Sequence, residues 1–393
     1  MNDRIVITGF GIVSALGIGI GENLSSLRAG NSGIGVMKHL NSSHKEFPVG
    51  EVRLSNKEMC EMLGIPFHRY VSRTQLLGAL AVREAISTAN LANKNGMALV
   101  SGTTVGGMDV TESLYPLPFP ADKPAVHDCG SNTNSIADLF GCFDYTSTLS
   151  TACSSALNSI ILGRLLIESG LKDIVIAGGT EALSVFHLNG FKSLMILDEQ
   201  RCRPFDVSRA GLNLGEGAAF VVLESEVSAL KRKATVLGTL SGVGNACDAY
   251  HQTASSQNGE GACLAMTQAL ESASLKPSDI SYISAHGTGT PDNDAAESAA
   301  IRRIFGDNYP PTASTKALTG HTTSASGSIE TVFCLLALLH NFMPKSTGFA
   351  NPDEKCIIPY TGNGHGETEL KHILCNAFGF GGNDSSIIIS KYE

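Results

Sequence analysis

The sequence predicts an α/β fold made of βαβ units around a mostly parallel sheet. Short runs of β-branched residues alternate with apolar helical segments along the whole chain, a pattern typical of parallel strands joined by crossover helices. Apolar residues make up 42% and charged residues 17% of the 393 residues, which is enough to bury a large core. The 42 glycines follow no collagen-like period, and so we expect them at turns and close backbone approaches.

Strands and helices alternate through the first half of the chain. Each predicted strand is a short run rich in β-branched and apolar residues, and most are followed directly by glycine, alanine or serine. The predicted strands are residues 5–8, 97–101, 147–151, 174–177 and 219–223. Apolar and small residues predict helices over 76–90 and 154–169. The glycines after residue 8 are interpreted as a turn.

The same pattern restarts after a basic helix end at residues 231–233. The predicted strands are residues 235–241, 280–285, 312–315, 373–377 and 386–390, and the predicted helices are 262–273 and 326–340. We therefore predict two halves, residues 1–233 and 234–393. In each half a strand ends in Ser-Thr and is followed by reactive side chains and an apolar helix, which suggests that two equivalent strand ends face one site.

Charge and composition exclude several classes of protein. With 28 basic and 37 acidic residues the net charge is −9, which argues against an extended nucleic-acid-binding face. No uninterrupted apolar run approaches the roughly 18 residues of a membrane span. The ten cysteines form no CxxC pair, so we expect reduced thiols in a cytoplasmic protein and neither a disulfide framework nor a zinc site.

Cys153 is the first candidate for chemistry. It stands between a predicted strand and a predicted helix, within Thr151-Ala-Cys-Ser-Ser-Ala156. A helix N-terminus favours the thiolate, which is the nucleophilic form, and the small neighbours leave room for an acyl group. The alternative is a buried core cysteine, which is what we expect of the other nine.

Further candidates also follow predicted strand ends. His286 begins a rigid loop, His-Gly-Thr-Gly-Thr-Pro, and Lys316 and His321 lie five residues apart after the next strand. Glu330 is a lone carboxylate on an apolar helix, so it needs a partner, and Lys316 is the obvious one. The glycine-rich turn at residues 376–382 can bring a backbone N–H close to a reacting atom. Each signal is weak alone, but together they indicate a catalytic site.

These motifs resemble those of a known family. The order TACSSA, AHGTGTP, STKALTGH and NAFGFGG is similar to that of the β-ketoacyl-[acyl-carrier-protein] synthases of the elongating type. The opening VITGFGIVSALG, the stretch AGGTEA and the stretch RPFDVSRAGLNLGEGA extend the resemblance over nearly the whole chain. The resemblance implies a thiolase-like fold, with two duplicated halves in a five-layer αβαβα arrangement.

The resemblance also implies roles for the matching residues. Cys153 would be the acylated nucleophile, and His286 and His321 would bind the malonyl carbonyl and stabilise the enolate. Lys316, paired with Glu330, would support His321 and the charge of the site. The reaction would be a decarboxylative condensation that needs no metal and no cofactor.

The remaining implied residues surround the nucleophile or receive the carrier. The backbone N–H groups of Cys153 and Phe380 would form an oxyanion hole, and Phe380 would also be a gate. The expected substrate-binding residues are Met108, Phe191, Phe378, Thr288 and Thr290. The candidates for docking an acidic acyl carrier protein are Arg69, Arg73, Lys123 and Lys192. We expect a homodimer, or a heterodimer with a related synthase subunit, and no nucleic acid or membrane partner.

Three departures from the family pattern point to a specialised lipid or polyketide-like pathway, such as an aryl polyene pathway. Residues 322–328 are polar where the family has leucine, glycine and alanine, the last turn ends in Asn-Asp, and Met195 stands where the family often has arginine. The polar run is expected either to meet a polar or unsaturated substrate or to satisfy itself within the protein.

Three alternatives remain at this stage. The first is a housekeeping fatty-acid elongation synthase, and the second is a non-catalytic chain-length-factor-like partner, which the presence of Cys153 opposes. The third is a degradative thiolase, which is disfavoured because residues 376–382 lack the second cysteine that thiolases carry there.

Overall fold

The computed structural model describes residues 4–91, 94–115, 128–362 and 369–393. The strands are β1 (Ile5–Ser14), β2 (Gly17–Ile18), β3 (Ile34–Gly35), β4 (Val49–Gly50), β5 (Met97–Gly102), β6 (Phe143–Leu149), β7 (Ile174–Glu181), β8 (Gly217–Ser225), β9 (Gly238–Cys247), β10 (Tyr282–Ser284), β11 (Thr312–Ala313), β12 (His372–Gly379) and β13 (Asn383–Ser390). The α-helices are α1 (Gly19–Ala29), α2 (Asn56–Leu63), α3 (Arg73–Thr88), α4 (Met108–Leu114), α5 (Cys129–Phe140), α6 (Ser155–Glu168), α7 (Val185–Ser193), α8 (Glu226–Lys231), α9 (Glu260–Ala273), α10 (Pro291–Phe305), α11 (Lys316–Thr319) and α12 (Ser326–His340).

The main sheet repeats one strand order twice. Its first half runs β1-β8-β7-β5-β6, and its second half runs β9-β13-β12-β10-β11, so each strand of one half has a counterpart in the other. The halves join where β1 pairs with β9 through Val6 with Thr239 and Ile7 with Gly238. This duplication agrees with the two halves expected from the sequence. The boundary at residue 233 falls between α8 and β9 and stays a prediction.

The sheet is mixed, and the expectation of a mostly parallel sheet is wrong. Strand β5 is parallel to β6 and β7, and β10 is parallel to β11 and β12. The five central pairings, from β7–β8 through β12–β13, are antiparallel. Only the short turn at Phe380–Gly382 separates β12 from β13, and such a turn permits an antiparallel pair alone. The alternation of strands with helices does not reveal this.

Helices cover both faces of each half-sheet and produce five layers. Helices α6 and α12 lie between the halves, α3 and α5 cover the outside of the first half, and α9 and α10 cover the outside of the second. Gly327 permits the close approach of the two central helices, because a Cβ there would lie 2.6 Å from Cγ of Leu157. The layers confirm the expected thiolase-like architecture.

Within the described residues, one helical segment is long and apolar enough to cross a membrane. It is Thr323–His340, with 18 residues and a mean hydropathy of 1.2. The structure buries 89% of this segment, since α12 packs between the two half-sheets. It is therefore explained as the central helix of the core.

Strand β1 is longer than predicted, because its glycines continue the strand instead of ending it. Gly9 and Gly11 face α3, and a Cβ on Gly11 would lie 2.1 Å from the carbonyl oxygen of Ala81. The helix therefore packs directly on the backbone of the strand.

We predict that Gly11→Ala lowers the free energy of unfolding by about 1–3 kcal/mol or more, because the new methyl group meets backbone that cannot move aside. Gly21→Ala in α1 is the control, since nothing lies within 4 Å of a Cβ there. It should raise stability by about 0.5–1 kcal/mol, as alanine replaces glycine in a helix. Urea unfolding measures both, and equal effects would contradict this explanation of β1.

Candidate active site

Cys153 lies on a tight turn between β6 and α6. Its neighbour Ala152 has a φ of 52°, in the left-handed region that non-glycine residues rarely adopt. Serine hydroxyls hold this turn: Ser154 Oγ donates to the carbonyl of Thr151 at 2.7 Å, and Ser155 Oγ donates to that of Ala152 at 2.6 Å. The strained turn places the Cys153 thiol in a pocket while only 5% of the residue is exposed.

Two histidines from the second half meet this thiol. Nε2 of His321 lies 3.0 Å from Sγ of Cys153. The His286 and His321 rings meet edge to face, with centroids 5.2 Å apart. One side-chain atom from each of the three residues lies within 4.8 Å of the others. The strand ends of the two halves thus meet at one site, as the sequence predicts.

Burial determines the protonation of all three groups. Desolvation and the nearby Lys316 ammonium hold the pKa values of His286 and His321 well below their ordinary range, so both imidazoles are neutral. Desolvation raises the pKa of the Cys153 thiol to about 11, although Lys316 and the backbone N–H groups of Phe380 and Cys153 act in the opposite direction. Burial therefore outweighs the effects of the helix start and of Lys316, which favour the thiolate.

Lys316 and Glu330 form a buried pair behind the histidines. Nζ of Lys316 lies 3.6 Å from a carboxylate oxygen of Glu330. Glu330 also accepts hydrogen bonds from Ser284 Oγ at 3.0 Å and Thr315 Oγ1 at 2.6 Å. Nζ donates no hydrogen bond to any residue that the structure describes. The pairing expected from the lone carboxylate is present, and it leaves the ammonium charge close to the three reactive groups.

Cys153, His286 and His321 form a set of donors that a metal such as zinc could also use. The Lys316 ammonium opposes this use, because it already disfavours positive charge on both histidines. The arrangement therefore suits proton transfer and hydrogen bonding to an anion better than it suits a cation.

Sequence reasoning missed Glu297, which holds the His286 loop in place. Its carboxylate accepts hydrogen bonds from the backbone N–H groups of His286 and Gly287, both at 2.8 Å, and from Nδ2 of Asn376 at 3.1 Å. Burial raises the pKa of Glu297 to about 7. A carboxylate among the alanines of α10 was the available signal, and the argument applied to Glu330 also fits here.

The pocket around the thiol has a volume of about 430 Å³. Four of the five expected substrate-binding residues line it, namely Phe191, Thr288, Thr290 and Phe378, and so does Phe380. The Phe191 and Phe380 rings stack with their centroids 5.7 Å apart. Met108 is not among the residues that line this pocket, and its role in substrate binding stays a prediction. It begins α4 and lines a separate cavity of about 1210 Å³.

The turn that carries Phe380 packs against the turn that carries Cys153. A Cβ on Gly379 would lie 3.2 Å from the backbone nitrogen of Cys153. Oδ1 of Asn383 accepts hydrogen bonds from Ser154 Oγ at 2.8 Å, Asn158 Nδ2 at 2.7 Å and Asn245 Nδ2 at 3.0 Å. This single oxygen therefore ties the two turns to α6 and β9.

The polar run at residues 322–328 lies outside the pocket lining. Ser324 Oγ donates to the Glu181 carboxylate at 2.6 Å, and Ser328 Oγ donates to the carbonyl of Ala325 at 3.1 Å. Thr323 Oγ1 is buried and has no hydrogen-bond partner among the described residues. Of the two explanations left open by the sequence, the structure favours hydroxyls that bond within the protein.

Three of the four candidate docking residues, Arg69, Arg73 and Lys192, lie in the part of the chain that the structure describes, and none of them lines this pocket. Arg73 is buried, with Nη2 2.6 Å from the Glu216 carboxylate, so its assignment to docking is wrong. Arg69 is exposed, but it lines the larger cavity and donates to Tyr70 Oη at 2.8 Å. Lys192 is partly exposed, with Nζ 3.1 Å from Nδ1 of His44. Lys123 lies outside the described residues.

Comparison with known proteins identifies the same family as the sequence motifs do. Residues 2–229 match the β-ketoacyl synthase N-terminal domain, and residues 237–350 match the β-ketoacyl synthase C-terminal domain. The chain is 31% identical to 3-oxoacyl-[acyl-carrier-protein] synthase 2 of Coxiella burnetii, over 99% of this chain and 98% of that one. It is 32% identical to nodulation protein E of Rhizobium meliloti, over 98% of each.

Solved structures agree in fold. The ishigamide ketosynthase/chain length factor superposes with a TM-score of 0.91 at 30% identity, covering 100% of both chains. The ketosynthase ApeO in complex with its chain length factor ApeC from Xenorhabdus doucetiae gives 0.83 at 31% identity, covering 99% of this chain and 98% of that chain. The matches to both domains and the full-length relatives together show that the chain belongs to the β-ketoacyl synthase family.

Proposed function

We propose that this chain condenses an acyl group held on Cys153 with malonyl-acyl-carrier-protein, releasing carbon dioxide and 3-oxoacyl-acyl-carrier-protein. The observation that carries the proposal is the cluster of Cys153, His286 and His321, with side-chain atoms within 4.8 Å of one another in one pocket. A thiol beside two neutral imidazoles suits acyl transfer followed by enolate stabilisation.

The first step is acyl transfer. Sγ of Cys153 attacks the carbonyl carbon of an acyl-carrier thioester, the new S–C bond forms, and the bond to the carrier sulfur breaks. His321 Nε2, 3.0 Å from Sγ, accepts the thiol proton and passes it to the departing carrier sulfur. The N–H groups of Cys153 and Phe380, which already act on Sγ, bind the oxyanion of the tetrahedral intermediate.

The second step is decarboxylation and condensation. The malonyl carboxylate leaves as carbon dioxide, and the electron pair of the broken C–C bond forms an enolate. Neutral His286 donates an N–H hydrogen bond to its oxygen, as does His321 in the tautomer that carries its proton on Nε2, and the Lys316 charge stabilises it further. The enolate carbon attacks the acyl carbonyl, and Sγ leaves as a thiolate that takes up a proton from solvent.

The presence of Cys153, His286, Lys316 and His321 speaks against a non-catalytic partner subunit. We also propose that the acyl substrate is a short unsaturated or aryl-primed chain. The protein would then act in a cytoplasmic, polyketide-like pathway. The support for this substrate is the similarity to the ishigamide ketosynthase/chain length factor at 30% identity and to the ketosynthase ApeO at 31% identity. The active unit is a homodimer or a heterodimer with a related subunit.

Turnover with palmitoyl-carrier and with short unsaturated or aryl-primed carriers tests the pathway. We expect the short carriers to be preferred. A clear preference for palmitoyl-carrier would contradict the specialised pathway and indicate ordinary fatty-acid elongation. It would not contradict the proposed condensation reaction.

Acyl loading should modify Cys153 alone, because it is the one cysteine in the pocket lining. Mass spectrometry after incubation with acyl-carriers should show one labelled peptide, and Cys153→Ala should abolish condensation. Cys153→Gln should still decarboxylate malonyl-carrier, because its amide mimics the acyl-enzyme. Cys142→Ala is the control and should behave as wild type. A label on Cys142 or Cys375 would contradict the assignment.

The two histidines should matter more for condensation than for loading. Replacing His286 or His321 by Ala should slow condensation by about two to four powers of ten, since each removes a positioned donor to the enolate. Acyl loading, followed by adduct mass, should slow less than condensation, and it should slow more in His321→Ala than in His286→Ala because His321 also accepts the thiol proton. Wild-type condensation rates in either variant would exclude the proposed mechanism.

Alkylation of Cys153 should depend steeply on pH. Because burial raises the pKa of its thiol to about 11, the reactive thiolate is scarce at pH 7 and its share grows as pH rises. The iodoacetamide rate should therefore rise about tenfold per pH unit from pH 7 to 10. Peptide mapping of the Cys153 adduct measures this rate. A plateau below pH 8 would mean that a thiolate is already present at rest.

A further inference from the structure

Met195 is the most exposed large apolar side chain in the part of the chain that the structure describes. It is 88% exposed, and its neighbour Leu194 is 41% exposed. Both line the pocket that holds Cys153. Two apolar side chains therefore stand in water at the rim of the entrance through which a thioester reaches the nucleophile.

Protein stability does not explain Met195. It follows the C-terminal end of α7 with a φ of 56°, a left-handed conformation that helix ends usually give to glycine. A methionine there costs conformational free energy, and its exposed side chain recovers none by packing. A strained and exposed apolar residue at a pocket rim indicates a binding role.

The charges at this rim do not favour electrostatic docking. The residues that line the pocket include no lysine or arginine, and the carboxylate among them is Asp292. Lys192, one turn before Met195, has its ammonium 3.1 Å from His44 and 4.0 Å from the Glu46 carboxylate. The whole chain carries a net charge of −9. The residues that line the pocket therefore offer an acidic carrier no lysine or arginine.

We propose that Leu194 and Met195 form an apolar docking platform for the acyl carrier protein, which contacts them with apolar side chains beside its pantetheine arm. The inference rests on the proposed function, since the carrier must lie over this entrance to bring its thioester to Cys153. Affinity for the carrier then comes from buried apolar surface, and so it resists salt. The sequence-based expectation of basic docking through Arg69 predicts the opposite.

The test compares one acyl group presented on the carrier protein or as its N-acetylcysteamine thioester. Acylation of Cys153 is measured by mass spectrometry for wild type, Met195→Ala, Met195→Gly and Arg69→Glu. For both Met195 variants we expect the ratio of carrier to small-thioester kcat/KM to fall at least fivefold. Leu171→Ala is the matched control, since Leu171 is 69% exposed at the opposite end of α6 from Cys153, and its ratio should not change.

Salt and stability distinguish docking from a structural role. Between 50 and 500 mM sodium chloride the wild-type KM for the carrier should change less than twofold, whereas Met195→Arg should make it rise with salt. Met195→Gly should raise the thermal midpoint, because glycine relieves the left-handed strain, and yet it should still lower the ratio.

Three results would overturn the platform. They are a wild-type KM that rises several-fold with salt, a ratio lowered by Arg69→Glu but not by Met195→Ala, or equal losses on both substrates with a lower thermal midpoint. A wild-type enzyme that acquires no adduct from either substrate would instead refute the proposed function, so the two failures are distinguishable.

Discussion

The close contact between α6 and α12 is the constraint on which the site depends. Cys153 precedes the first helix and His321 precedes the second, so the distance between the two helix starts fixes the distance between thiol and imidazole. Gly327 lies against Leu157 where the helices meet, and a side chain at this position would push them apart. The duplicated sheet halves supply the strands, but this contact turns two separate strand ends into one site.

Burial has a larger effect than any single charge on the protonation states of the groups in that site. The thiol and both imidazoles are driven to their neutral forms, and the Lys316 ammonium keeps the histidines from protonating. Glu330 partly balances that ammonium and is itself held by two hydroxyl groups. Positive charge thus lies close to Cys153, His286 and His321 without being placed on either imidazole.

Sequence reasoning succeeded where a residue follows a strand end and failed where the answer depends on three-dimensional packing. Cys153, His286, Lys316 and His321 were recognisable because parallel strands end at one edge of a sheet. The directions of β8 and β13 were not predictable, since the residue pattern of a strand does not show whether the strand pairs parallel or antiparallel. The charge on Arg73 indicated a surface residue, yet Glu216 lies buried beside it. Met108 lines a cavity separate from the one around Cys153, which its position after β5 does not reveal.

The stacking of Phe191 on Phe380 connects the nine-residue helix α7 to the turn that follows β12. Phe191 lies near the end of this helix, and Met195 lies four residues further along the chain. Phe191 contacts the turn that packs beside Cys153, and Leu194 and Met195 are exposed at the pocket rim. The exposed rim and the turn beside the thiol are therefore connected by a segment only about one helical turn long.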